Sequence, residues 1–145
     1  MPTVEVVRLD PDLALPTGAR EDDAGVDLRA VGNADLAPGG GRAKVGTGLA
    51  LAIPPGWAGL VLPRSGLALH HGVTCLNAPG LIDPGYRDEV CVVLVNTDPD
   101  HPYRVRRGDR IAQLVVQRVE PIAFVTVDRL AASTRGTGGF GHSGR

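Results

Sequence analysis

Several features are missing from this chain of 145 residues, and each absence narrows what it can be. Cysteine is scarce: Cys75 and Cys91 are the only two. Each sits in an apolar, strand-like run, which points to buried free thiols and away from a disulfide framework. No C-x-x-C or similar spacing joins them to His70 and His71, so the pattern does not support a zinc site. No apolar run approaches the length of a membrane span, and Met1-Pro2-Thr3-Val4-Glu5 lacks a basic region leading into an apolar one; the expected location is the cytoplasm, with no membrane association. A charge excess is missing too. Fifteen Lys and Arg against 16 Asp and Glu leave a net charge of −1. That gives no overall field to hold a polymeric nucleic acid by counterion release. Small anions stay open as ligands, because a few focused arginines can bind phosphate whatever the total charge.

Turn formers are what the chain has in abundance. Twenty Gly and 12 Pro, with 43% hydrophobic and 21% charged residues, indicate one globular core built from many short elements. Period-two or continuous β-branched runs recur at Val4–Leu9, Val26–Ala30, Thr47–Ile53, Trp57–Leu62, Val73–Leu76, Val90–Asn96, Arg110–Val119 and Phe124–Val127. Between them lie Pro38-Gly39-Gly40-Gly41, Pro54-Pro55-Gly56, Asp83-Pro84-Gly85, Asp98-Pro99-Asp100 and Arg107-Gly108-Asp109. The reading is an all-β fold, a barrel or jelly-roll-like sandwich. One short helix is expected from Ser65 to His70 with Ser65 as its N-cap. Residues 1–132 would form a single β domain. From Ser133 onward strand character disappears, leaving a flexible glycine-rich arm over 133–145 that cannot pack a core of its own.

Five segments carry chemistry. In Gly80-Leu81-Ile82-Asp83-Pro84-Gly85-Tyr86 an apolar run enters a turn with a carboxylate at its corner, which ordinary turn chemistry explains when taken alone. Pro63-Arg64-Ser65-Gly66 places a guanidinium, a hydroxyl and a close backbone approach at a helix start, suited to phosphate oxygens or simply to capping. In Gly108-Asp109-Arg110-Ile111-Ala112-Gln113-Leu114 the amide of Gln113 needs a partner, from the protein or from a ligand. Ala24-Gly25-Val26-Asp27-Leu28 puts one carboxylate on an apolar strand. Gly136–Gly141 formally matches G-x-G-x-x-G, but no strand precedes it in a βαβ unit and only four residues follow, so the dinucleotide reading fails. Arg135 and Phe140, set in glycine, instead suit a lid that grips a phosphate and stacks on a base.

Together and in this order, the five segments resemble the trimeric dUTP pyrophosphatases (dUTPases), over nearly the whole chain. The resemblance implies a distorted jelly-roll-like β fold, a homotrimer with active sites at subunit interfaces, and hydrolysis of dUTP to dUMP and pyrophosphate with Mg²⁺. It implies that Asp83 orients the water attacking the α-phosphorus and that Asp27 holds waters of the Mg²⁺ shell. Arg64, Ser65, Gly66 and Gln113 would contact the triphosphate, Arg135 would clamp the terminal phosphate, and Phe140 would stack on uracil. The hairpin from Asn77 through Ile82 to Tyr86 would read uracil largely through backbone groups, with Tyr86 under the deoxyribose where a 2′-hydroxyl has no room.

Two positions depart from the family pattern. His142 stands where Ser is usual, touching one hydroxyl contact to the terminal phosphates, and Asp88 stands where Gly is frequent. The rival reading is the related dCTP deaminases, which carry a catalytic Glu on the strand after the hairpin. Here that strand, Val90 to Val95, has no acid, and only Glu89 stands at its start. A non-catalytic nucleotide-binding trimer is the other alternative, against which the retention of Asp83, Asp27, Arg64 and Arg135 weighs.

Overall fold

β-Branched and aliphatic residues alternate along most of the chain, and in the computed structural model they form ten strands and one helix among the described residues 2–18, 20 and 22–137. The strands are β1 (Glu5–Arg8), β2 (Val26–Arg29), β3 (Ala34–Leu36), β4 (Arg42–Ala52), β5 (Trp57–Leu62), β6 (Val73–Cys75), β7 (Gly80–Ile82), β8 (Glu89–Asn96), β9 (Tyr103–Val105) and β10 (Arg110–Arg118); the helix α1 (Ser65–His71) follows β5. One sheet has the order β1-β4-β8-β6, a second β2-β10-β5-β7, and a small third pairs β3 with β9. None is closed into a barrel, and the result is a jelly-roll-like all-β fold.

The period of two decides which residues fill the space between the sheets. Along β8, Val90, Val92, Leu94 and Asn96 are buried while Cys91 and Val93 are only half-buried. Leu28, Leu36, Ile53, Val73, Leu94 and Ile111 join Val92 and Val105 among the largest fully buried side chains. Burying an aliphatic side chain of this size stabilises the fold by about 1.5–3 kcal/mol. Asn96 is tolerated in this core because its amide donates to the carbonyls of Leu36 and His101 and its oxygen accepts from the amide of Asp98.

β4 carries an irregularity opposite the start of β8. Gly46 pairs with Cys91 and Ala50 with Glu89, so three residues of β4, Thr47 to Leu49, face the single Val90 of β8. Gly48 takes a positive φ of 69° in this bulge, a conformation that favours glycine.

Three local expectations change. The helix begins with Ser65 as its first turn, not its cap: Arg64 is the N-cap, with extended backbone and no side-chain capping bond. Phe124–Val127 forms no strand, and Phe124 is 92% exposed. An alternating apolar pattern makes a strand only when a neighbour supplies hydrogen bonds, and none within the described chain does so here. β4 starts at Arg42, five residues before the expected run, because β8 pairs with it through the polar alternation of Arg42 and Lys44.

Candidate active site

The hairpin around Asp83 is built on the edge of the second sheet. β7 pairs on one side with β5, Gly59 opposite Ile82 and Val61 opposite Gly80, and has no strand on its other side in that sheet. Its turn is closed by the amide of Tyr86 donating to the carbonyl of Asp83 at 3.1 Å. The hydroxyl of Tyr86 donates to the main-chain carbonyl of Glu89 at 2.8 Å, and Arg87 donates to the carbonyls of Pro84 and Tyr86. Beside the hairpin opens a cavity of about 240 Å³ that brings together Asn77, Ile82, Asp83 and Tyr86, with Cys91 on its far wall. Asp83 is exposed and takes part in none of the ion pairs among the described residues. Burial raises the Cys91 thiol above its ordinary range, and the carboxylates of Glu89 and Asp88 add to this, so the wall it forms is a neutral one.

A second group forms where β2, β10 and β5 run side by side. Asp27 of β2 lies opposite Gln113 of β10, and Gln113 lies opposite Leu62 of β5. Directly opposite residues of an antiparallel pair put their side chains on the same face. Arg64, two residues past the end of β5, donates from Nε to one oxygen of Asp27 at 3.1 Å, and Arg110 donates from Nη1 to the other at 3.3 Å. Arg64 also donates to the carbonyl of Arg110. The Asp27 side chain is only 13% exposed, so its charge is met by two guanidiniums in a partly dry setting, where such pairing matters more than on an open surface. Ser65 and Gly66 are exposed at the start of α1 next to this group.

Arg110 is the participant that sequence reasoning passed over. It lies in the same segment as Gln113, three residues earlier; the missing signal was the bulge between Arg110 and Ala112 in the β2–β10 pairing, which brings residue 110 to the Asp27 face out of strict alternation. Arg29, which donates to the carbonyl of Gly108, borders the same recess of about 100 Å³ beside Asp27.

Within one chain the two groups are apart. Asp83 leaves β7 at the Gly59 end of β5, whereas Gln113 and Arg64 belong to the Leu62 end. At about 3.3 Å per strand residue they are separated by roughly 10–17 Å along β5. Arg135 lies by a turn closed by the amide of Gly136 on Ser133. Phe140 and His142 fall outside the described residues.

As for a metal, no group of three or more His, Cys, Asp or Glu among the described residues could hold one. Asp27 is a single carboxylate, and a hard cation such as Mg²⁺ takes about six oxygens. The donor set fits an ion whose ligands are mostly phosphate oxygens and water, and does not fit a resident ion caged by protein. No helix among the described residues is long and apolar enough to cross a membrane.

Comparison with known proteins gives the family. The dUTPase family model matches residues 12–144. The deoxyuridine 5′-triphosphate nucleotidohydrolase of Thermobifida fusca is 58% identical over 141 residues, covering 97% of this chain and 78% of the relative. That of Mycobacterium tuberculosis is 54% identical over 147 residues, covering 98% and 95%. Among solved structures, the Staphylococcus bacteriophage 80alpha dUTPase with dUPNHPP superposes with a TM-score of 0.90 at 28% identity, covering 99% of both chains. A family match over nearly the whole chain, relatives above half identity and a shared fold lead to one conclusion: the chain belongs to the dUTPase family.

Proposed function

We propose that this dUTPase hydrolyses dUTP to dUMP and pyrophosphate in the cytoplasm, by attack of a water that Asp83 orients on the α-phosphorus. The observation that carries this reading is the placement of an exposed carboxylate, outside every ion pair of the described residues, at the mouth of a cavity walled by a free strand edge. An edge strand presents unpaired N–H and C=O groups. The β7 edge therefore offers uracil a row of donors and acceptors, and the inverted pattern of cytosine would leave buried polar groups unpaired, which is the strongest kind of rejection. Tyr86 on the same wall would lie under the deoxyribose, with Asn77 and Ile82 framing the base.

Opening a phosphoanhydride requires little covalent chemistry from the protein: a water in line with the leaving pyrophosphate, a base, and neutralisation of the charge on the phosphates. Asp83 supplies the base. Arg64, Ser65, the backbone at Gly66, Gln113 and Arg135 supply donors to the triphosphate, with Phe140 closing on the base. Mg²⁺ brought with the substrate would neutralise phosphate charge, and Asp27 would hold its waters. Asp27 already meets two arginines, so accepting that shell and freeing guanidiniums for phosphate are coupled.

The separation of Asp83 from Arg64 along β5 supports a site shared between chains, with the hairpin of one copy facing the Arg64 end of another, as a homotrimer provides. The exposed apolar side chains of Ile122, Phe124, Val125 and Val127 suit burial in such an assembly. In this reading residues 1–132 are the β domain and 133–145 the arm that closes a site. Deamination of dCTP is disfavoured: β8 has no acid on its cavity wall, and the Glu89 carboxylate accepts the amide of Gly48 instead.

The test is a panel of dUTP, UTP, dCTP and dTTP with Mg²⁺, scored for pyrophosphate and for base product. Pyrophosphate from dUTP far ahead of the other three is expected. Ammonia from dCTP, or no pyrophosphate from dUTP, would sink the reading.

A further inference from the structure

Glu89 is the first residue of β8 and lies outside the groups assigned above, yet it is tied on every side. Its carboxylate oxygen accepts the amide of Gly48 at 2.8 Å, in the β4 bulge. Its own amide donates to the carboxylate of Asp88 at 2.7 Å. Its carbonyl accepts the hydroxyl of Tyr86 at 2.8 Å. The bulge is itself anchored: Gly48 accepts the amide of Leu9 at 2.8 Å, and the buried hydroxyl of Thr47 donates to the carbonyl of Val90 at 2.6 Å. Room for the carboxylate exists because residue 46 is glycine, where a Cβ would lie 2.5 Å from the Glu89 oxygen.

These contacts form one chain of connection from the β4 bulge to the ring of Tyr86. Tyr86 is 41% exposed, so packing alone holds it weakly, and the bond from its hydroxyl to Glu89 fixes where the ring stands. We propose that Glu89 is a positioning residue for sugar selectivity: by pinning its own carbonyl to the β4 bulge it sets the height of the Tyr86 ring, and thereby the room left for a ribose 2′-hydroxyl. This rests on the reading that Tyr86 lies under the sugar. Glu89 touches no substrate; it acts through Tyr86. A ring free to drop by a fraction of an ångström admits the 2′-hydroxyl that a fixed ring refuses, so the quantity that responds is the preference for dUTP over UTP.

The experiment measures kcat/KM for dUTP and for UTP in the full-length wild type and in Glu89→Ala, Glu89→Gln, Tyr86→Phe and the double variant Glu89→Ala with Tyr86→Phe. Losing one hydrogen bond that fixes a specificity group is expected to lower the dUTP-to-UTP ratio about tenfold in Glu89→Ala and in Tyr86→Phe. Glu89→Gln keeps an oxygen for the Gly48 amide and should hold the ratio within about twofold. Because both single changes cut the same connection, the double variant should lose no more than either alone. Gly46→Ala, which crowds the carboxylate while leaving residue 89 unchanged, should lower the ratio in the same direction, and it keeps the test decisive if Glu89→Ala does not fold. A discriminating wild type whose ratio survives Glu89→Ala, or survives Tyr86→Phe and Gly46→Ala when Glu89→Ala cannot be purified, overturns the proposal alone. A wild type that does not prefer dUTP to UTP overturns the placement of Tyr86 and this inference with it.

Discussion

The two ends of β5 carry opposite kinds of polar machinery. At the Leu62 end, side chains satisfy one another: Asp27 holds Arg64 and Arg110, and Arg64 reaches the Arg110 carbonyl. At the Gly59 end, the hairpin is fixed through main-chain groups and the staples of Tyr86 and Arg87, while the Asp83 carboxylate stays out of every ion pair of the described residues. The difference follows from the work each end would do. Groups that meet a triphosphate are cations that need a counter-charge until the substrate comes, and a carboxylate outside the ion pairs keeps its oxygens open to accept from a water. On the proposed reading a polyanion would displace partners at one end, and nothing would have to be displaced at the other.

The largest expected effect falls at the unpaired end. Asp83→Ala should lower kcat by about 10²- to 10⁴-fold while a non-hydrolysable dUTP analogue still binds, as calorimetry would show. Full residual turnover would mean the hairpin carboxylate is only a turn residue. Next in size, removal of everything after Ala132 should lower kcat/KM by roughly a hundredfold, because Arg135 and Phe140 leave together; an unaltered rate would mean that both ends of β5 suffice without the arm. Arg64→Ala should lower kcat/KM by about 10- to 100-fold, the worth of hydrogen bonds to a charged group, and do so mainly through KM. Asp83→Ala and Arg64→Ala chains, unfolded together and reassembled, should regain roughly a quarter of the wild-type kcat/KM if each site takes its hairpin from one chain and its Arg64 from another. No recovery would place both ends in a single-chain site.

The sequence disclosed the hairpin end more fully than the charged end. A short apolar run, Asp-Pro-Gly and Tyr are local signals, and the structure closes the turn between Asp83 and Tyr86 as the pattern predicts. Asp27, Arg64 and Arg110 lie up to 83 positions apart in the chain, and their meeting depends on strand order and on a bulge, neither of which period-two patterns encode. The same reason explains the errors in the elements. β3 and β9 are three residues each and exist because they pair with one another; Phe124–Val127 has the pattern of a strand and no partner in the described chain. Ser65 looked like a cap because hydroxyls usually cap helices, but the chain enters α1 extended at Arg64, whose side chain is spent on Asp27. The family resemblance named candidate site residues; it could not show that Asp27 and Arg64 hold each other.

The smallest effect concerns how the charged end is tied to the rest of the fold. Arg107, in the turn that leads into β10, donates to both oxygens of Asp10 and to the carbonyl of Val31. The hydrogen bond from Arg107 comes first among the causes that hold the Asp10 carboxyl below its ordinary value of 3.8. A depressed folded-state value means that the unfolded chain takes up the proton first as pH falls. The pair therefore contributes its full share of stability above pH 3.8 and loses it as acid carries the solution down through the folded-state value. Melting temperatures of the wild type and Asp10→Asn should accordingly differ at neutral pH and converge on acidification, at low salt more than at high salt because the Arg107 side of the pair is exposed. If the tie serves the charged end alone, Asp10→Asn should also raise KM slightly and leave the dUTP-to-UTP ratio untouched, since that ratio belongs to Tyr86 at the other end of β5. A change in the ratio instead would show the two ends to be mechanically one.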